Sequence, residues 1–179
     1  MKIGILGGGQ LGRMFIQNAL NYDDEFHVLD PNADCSCAYI SHFSQGNFND
    51  YEDVLAFGQD KDVISIEIEH VNVEALFELE KQGKKVIPNA EIIKTIQQKI
   101  LQKEFYKKHN IPSPDFEIFD GTSEEIKIEL PFVQKLNTGG YDGKGVQVIK
   151  TEDDLKNLWN APSVLESLVQ TKNFISVSD

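Results

Sequence analysis

The sequence predicts an α/β protein whose first half is a parallel sheet with helical crossovers and whose second half is α+β. Three observations carry this. Short apolar runs alternate with stretches of helical periodicity through the first 87 residues, which is how strands joined by right-handed crossovers read. After Pro88 the pattern changes to a long lysine-rich helical stretch followed by short strands. Two glycine-rich segments, 7–12 and 139–145, then sit in different settings, one between a strand and a helix, the other between two strand-like runs.

Each element has a local reason. Lys2-Ile3-Gly4-Ile5-Leu6 is short, apolar and stopped by glycines, as a buried strand is. Apolar residues at 11, 14, 15, 16, 19 and 20 give residues 10–21 a single helical stripe. Residues 26–30 read as a second strand closed by Pro31-Asn32, and a third short strand is expected around 39–43. Residues 51–59 are helical, 62–68 form a strand with Val63, Ser65, Glu67 and Glu69 at alternate positions, 71–82 are helical, and 85–87 form a strand ended by Pro88. This order is Rossmann-like. Residues 90–110 are helical with a break near Gln97-Gln98, and Ile111-Pro112-Ser113-Pro114 ends them, because proline lacks the amide and extends its predecessor. Strands follow at 115–119, 131–136, 146–150 and 163–166, with helices near 123–128 and at 152–159. A boundary near residue 95 divides the chain into domains 1–95 and 96–179.

Composition narrows the function. A chain of 179 residues with 40% apolar content can bury a core. A net charge of −12 argues against non-specific nucleic-acid binding, since a phosphate backbone is repelled. No apolar run approaches the roughly 20 residues that span a bilayer. The chain opens directly into a strand, with no signal-peptide pattern, so a cytoplasmic location is expected. The only cysteines, Cys35 and Cys37, are too few to close a zinc site and too close in sequence for a good disulfide. Both are expected to be reduced and incidental.

Gly7-x-Gly9-x-x-Gly12 after a strand and before a helix satisfies a dinucleotide fingerprint, with Asp30 ending the second strand where a ribose-binding acid would sit. Glycines let the backbone approach an anion, and the helix N-terminus supplies amides and a positive dipole end. The residues alone leave three readings open: an NAD(P) site, a tight turn for helix–sheet packing, or contact with another phosphate such as a sugar phosphate.

The second segment is more specific. Gly139-Gly140-Tyr141-Asp142-Gly143-Lys144-Gly145 lies between residues 132–135 and 146–149, both strand-like, so it is a hairpin loop. Four glycines in seven residues give a backbone that can fold over a polyphosphate with its amides aimed at the oxygens. Lys135 and Lys144 can neutralise phosphate charge. A P-loop needs a following helix and a Lys-Ser/Thr pair. Here Gly145-Val146 follows Lys144, so this is not one.

The set Gly7-Gly8-Gly9-Gln10-Leu11-Gly12-Arg13-Met14, Glu67-Ile68-Glu69, Gln98-Lys99 with Lys103, Ile111-Pro112 and the Gly-Gly-Tyr-Asp-Gly loop resembles the 5-(carboxyamino)imidazole ribonucleotide synthase family of the ATP-grasp superfamily. The resemblance runs in order from Met1 to about Val169. It implies a Rossmann-like preATP-grasp domain followed by the first part of an ATP-grasp α+β domain. It also implies a ligase of purine biosynthesis that uses ATP and Mg2+ to carboxylate 5-aminoimidazole ribonucleotide with bicarbonate through carboxyphosphate. Members are commonly homodimeric.

By the same resemblance, Lys99 and Lys135 meet ATP phosphates. Gly140, Tyr141, Asp142, Gly143, Lys144, Gly145 and Val146 form the loop over them. Glu166, Ser167, Leu168 and Val169 hold the adenine through backbone and carboxylate contacts. Tyr141 and Asp142 also face the ribonucleotide and bicarbonate, and are the catalytic candidates. Gly9, Gln10, Leu11, Glu67 and Glu69 lie on the ribonucleotide side, with the glutamates on one face of a strand by period two.

Departures accompany the resemblance. Family members are about twice as long, and the remainder holds their magnesium ligands, so no metal ligand is assigned within this chain. Phe174 stands where a ribose-binding glutamate is usual, and a phenyl ring accepts no hydroxyl hydrogen bond. The expectation is a chain truncated relative to its family and inactive alone. Its alternatives are a non-catalytic ATP-binding remnant, an NAD(P)-dependent oxidoreductase built on the first glycine loop, and another ATP-grasp ligase.

Overall fold

The computed structural model describes residues 1–122, 126–140 and 144–169. The chain divides into two compact units, Met1–Gln97 and Gln98–Asp179.

In the first unit, β1 (Lys2–Leu6), β2 (Glu25–Asp30), β3 (His42–Gln45), β4 (Val63–Ile66) and β5 (Lys85–Ile87) form one sheet in the order β3-β2-β1-β4-β5. Every neighbouring pair is parallel. Helices α1 (Gln10–Ala19), α2 (Tyr51–Gly58), α3 (Val73–Lys81) and α4 (Ala90–Gln97) make the crossovers and complete the unit. Both sheet faces are buried, as parallel sheets require. One core gathers Leu6, Leu29, Ile64, Leu76, Leu79 and Ile93, and the other gathers Ile5, Ile16, Phe26, Val28 and Cys37. Asp50 and Asn72 cap α2 and α3, their side chains accepting backbone amides of the first turns.

The second unit contains α5 (Lys99–Lys108) and an antiparallel sheet in the order β6-β9-β7-β8, from β6 (Phe116–Phe119), β7 (Phe132–Leu136), β8 (Val146–Ile149) and β9 (Ser163–Ser167). One face packs Phe119, Phe132, Ile149 and Leu165 against Leu155 and Leu158. At its centre the amide of Gln134, fully buried, donates to Trp159 O and Ser163 Oγ and accepts from Gln147 Nε2 and Trp159 N. α5 lies against β9.

The α/β reading holds, and the helical break falls at Gln98, where the backbone is extended between α4 and α5. Four local expectations need correction. β3 lies at His42–Gln45 rather than 39–43, because residues 37–41 are wound into turns by Ile40 N and Ser41 Oγ donating to Cys37 O. β4 stops at Ile66, so Glu67 and Glu69 follow the strand instead of sharing one of its faces. The ladder ends there because β1 turns away at Gly7, whose φ is +97°, after Glu67 N bonds Leu6 O. Of the helix expected near 123–128, residues 123–125 lie outside the described residues, and 126–128 are not helical, since Lys127 N and Ile128 N both donate to the Glu117 carboxylate at 2.9 Å. The helix expected at 152–159 is a 3-10 helix, Glu152–Asn157, started by a Thr151–Asp154 capping box.

Candidate nucleotide and substrate sites

In the second unit, strand alternation puts Lys135 and Glu166 on the sheet face away from Phe132 and Leu165. With β7 and β9 antiparallel and Val133 opposite Glu166, the two side chains become diagonal neighbours. α5 brings Lys99 and Lys103, one turn apart, over that face. A cavity of about 410 Å3 results, lined by Lys99, Lys103, Tyr106, Ser113, Lys135 and Glu166 among others.

Glu166 is the electrostatic centre. Lys103 Nζ lies 2.6 Å from one carboxylate oxygen and Lys135 Nζ 2.5 Å from the other. Burial pushes the carboxyl toward its neutral form, but the hydrogen bonds and charges of Lys103 and Lys135 prevail and hold it below its ordinary value. Lys103 is buried, also donates to Ser113 Oγ, and lies 5.6 Å from the centre of the Phe116 ring. Lys99 is fixed by its backbone amide on Asn137 O.

The hairpin reaches the same region. Leu136 N bonds Gly145 O across its neck. A side chain at Gly140 would meet Lys144 O at 2.8 Å, and it would come within 3.7 Å of Lys99 Cε, so Gly140 fits between them only as glycine. Lys99, Lys135 and Glu166 are therefore brought together with Gly140 close by. Lys144, Val146, Ser167, Leu168 and Val169 do not line the cavity. Val169 is exposed, and Leu168 N bonds Pro131 O. Glu166, expected on the adenine side, has a lysine on each carboxylate oxygen. Tyr141, Asp142, Gly143 and Phe174 lie outside the described residues. Lys103, named with Lys99 in the motif set but given no role there, is the added functional candidate, and its spacing of four from Lys99 was the available signal.

In the first unit, the strand order reverses at β1 and β4, and ligands of open α/β sheets bind at the carboxyl ends of such a pair. The glycine loop follows β1 there and Glu67 follows β4. A side chain at Gly9 would meet Glu67 Oε1 at 2.4 Å, so the glycine admits the carboxylate against the start of α1. Leu11, Gly12, Phe15, Ser65 and Glu67 line a cavity of about 210 Å3 beside it. Gly9 caps α1 without a side-chain hydrogen bond, and Gln10 is exposed in its first turn. Glu69 is exposed and does not line this cavity; its carbonyl accepts from Gln97 Nε2 at 2.7 Å. Of the two glutamates, only Glu67 joins the loop.

The same loop disfavours the NAD(P) alternative. Asp30, placed for a ribose, uses one oxygen on Gly8 N at 2.7 Å and the other on Asn32 N at 2.8 Å. Gly7 N is spent on Leu29 O. Cys35 and Cys37 are free thiols, as expected, but not incidental: Cys35 Sγ would lie 2.5 Å from a side chain at Gly8, and Cys37 N donates to Gly8 O. Burial raises the Cys37 thiol to about 11.

Known proteins are similar to this chain in sequence and fold. A phosphoribosylaminoimidazole carboxylase from Candida glabrata is 37% identical over 188 residues, covering 98% of this chain and 33% of that protein. The structure of a Staphylococcus aureus N5-carboxyaminoimidazole synthetase complexed with ADP matches with a TM-score of 0.87 at 32% identity, over 96% of this chain and 48% of that one. An Aspergillus clavatus N5-carboxyaminoimidazole synthase in complex with ADP and 5-aminoimidazole ribonucleotide matches with a TM-score of 0.81 at 32% identity, over 96% of this chain and 47% of that one. The chain thus spans about half the length of these solved structures. Residues 104–178 match the ATP-grasp domain. Residues 1–97 match the ribonucleotide synthetase preATP-grasp domain, and to that family the chain belongs.

Proposed function

We propose that this chain supplies the nucleotide and ribonucleotide sites for ATP-dependent carboxylation of 5-aminoimidazole ribonucleotide in the cytosol. In this reading a bicarbonate oxygen attacks the ATP γ-phosphorus, giving carboxyphosphate and ADP. The amine of the ribonucleotide then takes the carboxyl carbon as phosphate leaves, giving 5-(carboxyamino)imidazole ribonucleotide. The relatives' names and their ADP and ribonucleotide complexes support it.

The single observation that carries the reading is the convergence of Lys99, Lys103 and Lys135 on one cavity beside the glycine hairpin. Three ammonium groups against one carboxylate suit a polyphosphate. Glu166 and the backbone of residues 167–169 are the proposed adenine side. Gly9, Gln10, Leu11 and Glu67 are the proposed ribonucleotide side, where the start of α1 offers amides to a phosphate. Magnesium is implied by the family, but the described residues of the cavity do not fit it. Their one carboxylate, Glu166, is taken by two lysines, so no step is drawn through the metal.

Calorimetric titration of the 179-residue chain with ADP, and separately with NADH, tests the assignment. Saturable ADP binding that weakens at least tenfold in Lys135→Ala is expected, with no NADH binding. Tight NADH binding, or ADP binding indifferent to Lys135→Ala, would overturn it.

A further inference from the structure

The parallel register of β2 and β3 sets His27 directly opposite His42. Glu25, two residues before His27 on the same strand, shares its face. The two imidazoles stack with centroids 4.7 Å apart and planes 25° from parallel. One ligand atom from each of Glu25, His27 and His42 lies within 4.8 Å of the others. A second observation is independent of this grouping. His27 Nε2 is buried with no hydrogen bond, and the nearest Glu25 oxygen, 3.6 Å away, forms an ion pair with it only when the imidazole is protonated. Buried polar atoms are almost always satisfied, so a nitrogen without a hydrogen bond beside two other ligand groups points to a ligand.

We infer that Glu25, His27 and His42 form a binding site for a divalent transition-metal ion of the zinc type. Two imidazoles and one carboxylate are the donor set of open zinc sites, which complete their shell with water. Bond lengths of about 2.0–2.2 Å put tetrahedral ligand atoms roughly 3.3 Å apart. Glu25 and His42 are exposed and can rotate inward, whereas His27 is held by the strand it sits in. The neighbouring Lys61 ammonium is bonded to Asp60, which offsets its charge. The site lies on the amino-terminal half of β2, while the glycine loop follows the carboxyl end of β1, so it is separate from the proposed ribonucleotide cavity. Its effect would be to fasten the edge strand β3 to β2.

Metal-free protein titrated with Zn2+ by calorimetry, and with Co2+ by visible absorption, tests this. One ion per chain is expected, with d–d bands of a four- or five-coordinate nitrogen–oxygen site and no thiolate charge-transfer band. Affinity should fall at least tenfold in both His42→Ala and Glu25→Gln, two exposed positions whose replacement leaves the core intact. Zn2+ should also raise the melting temperature of the unmodified chain but not of His42→Ala. Absence of binding, binding unchanged in both variants, or a thiolate band implicating Cys35 and Cys37 would each overturn the assignment.

Discussion

Glu166 receives a lysine on each carboxylate oxygen, and its environment sets a measurable pH dependence. Its folded form titrates below the ordinary value of 4.5. The unfolded chain therefore takes up the proton first, and the stabilisation from this group is fully present above about 4.5 and lost as pH falls through the lower folded value. Replacing it by glutamine leaves Lys103 buried without its counter-ion. Glu166→Gln should cost about 3 kcal/mol at pH 7, the low end for breaking a buried pair because Lys135 is partly exposed. Urea denaturation at pH 7 and again near pH 3.5 checks this. The gap between variant and wild type should narrow at the lower pH, and a constant gap would show the loss is not ionic. At this scale the sequence was informative wherever motif register sufficed, as at Lys99 and Lys135. It gave no role where pairing was tertiary: Lys103 belongs to the motif set, but its function at the site shows only when β9 supplies Glu166. The Glu25–His27–His42 group was equally hidden, since its donors come from separate strands.

Element type was legible almost throughout because period two and period 3.6 survive in the apolar residues of 2–6, 26–30 and 99–108. β3 escaped because three of its four residues are exposed, so no apolar signal marks its register. The stretch 152–159 carries helical composition, but Gln134 accepts Trp159 N and draws the chain out after one 3-10 segment. That amide makes β7 the organising strand of its sheet, with both donors and the acceptor engaged. Gln134→Leu conserves approximate volume yet orphans Trp159 N and leaves the Gln147 amide with its bond to Asn157 O alone. It should destabilise the protein by roughly 2 kcal/mol through unsatisfied buried groups, measured by thermal or urea unfolding. A neutral result would mean that water takes over these bonds.

Across the whole molecule, a net charge of −12 coexists with a cavity bearing three lysines and one glutamate. The overall acidity argued against non-specific nucleic-acid binding but gave no hint of this local reversal, which exists only after α5, β7 and β9 meet. The two units also have separate cores, so a ligand of one should report on that one. At a hundred times its dissociation constant, ADP should add about 2.7 kcal/mol to whatever unfolds with its site. Differential scanning calorimetry should show the transition of the unit Gln98–Asp179 moving upward, with any separable transition of Met1–Gln97 left in place. An equal shift of both would indicate one cooperative molecule. The grip of Glu166 on Lys103 and Lys135 has a further effect on how a nucleotide would be received. Immobilising a free lysine side chain costs roughly 1.5–2 kcal/mol in rotamer entropy. For Lys103 and Lys135 that ordering is already complete when α5 meets β7 and β9, so an arriving polyphosphate would meet two aligned cations and lose less of its binding energy to arranging them.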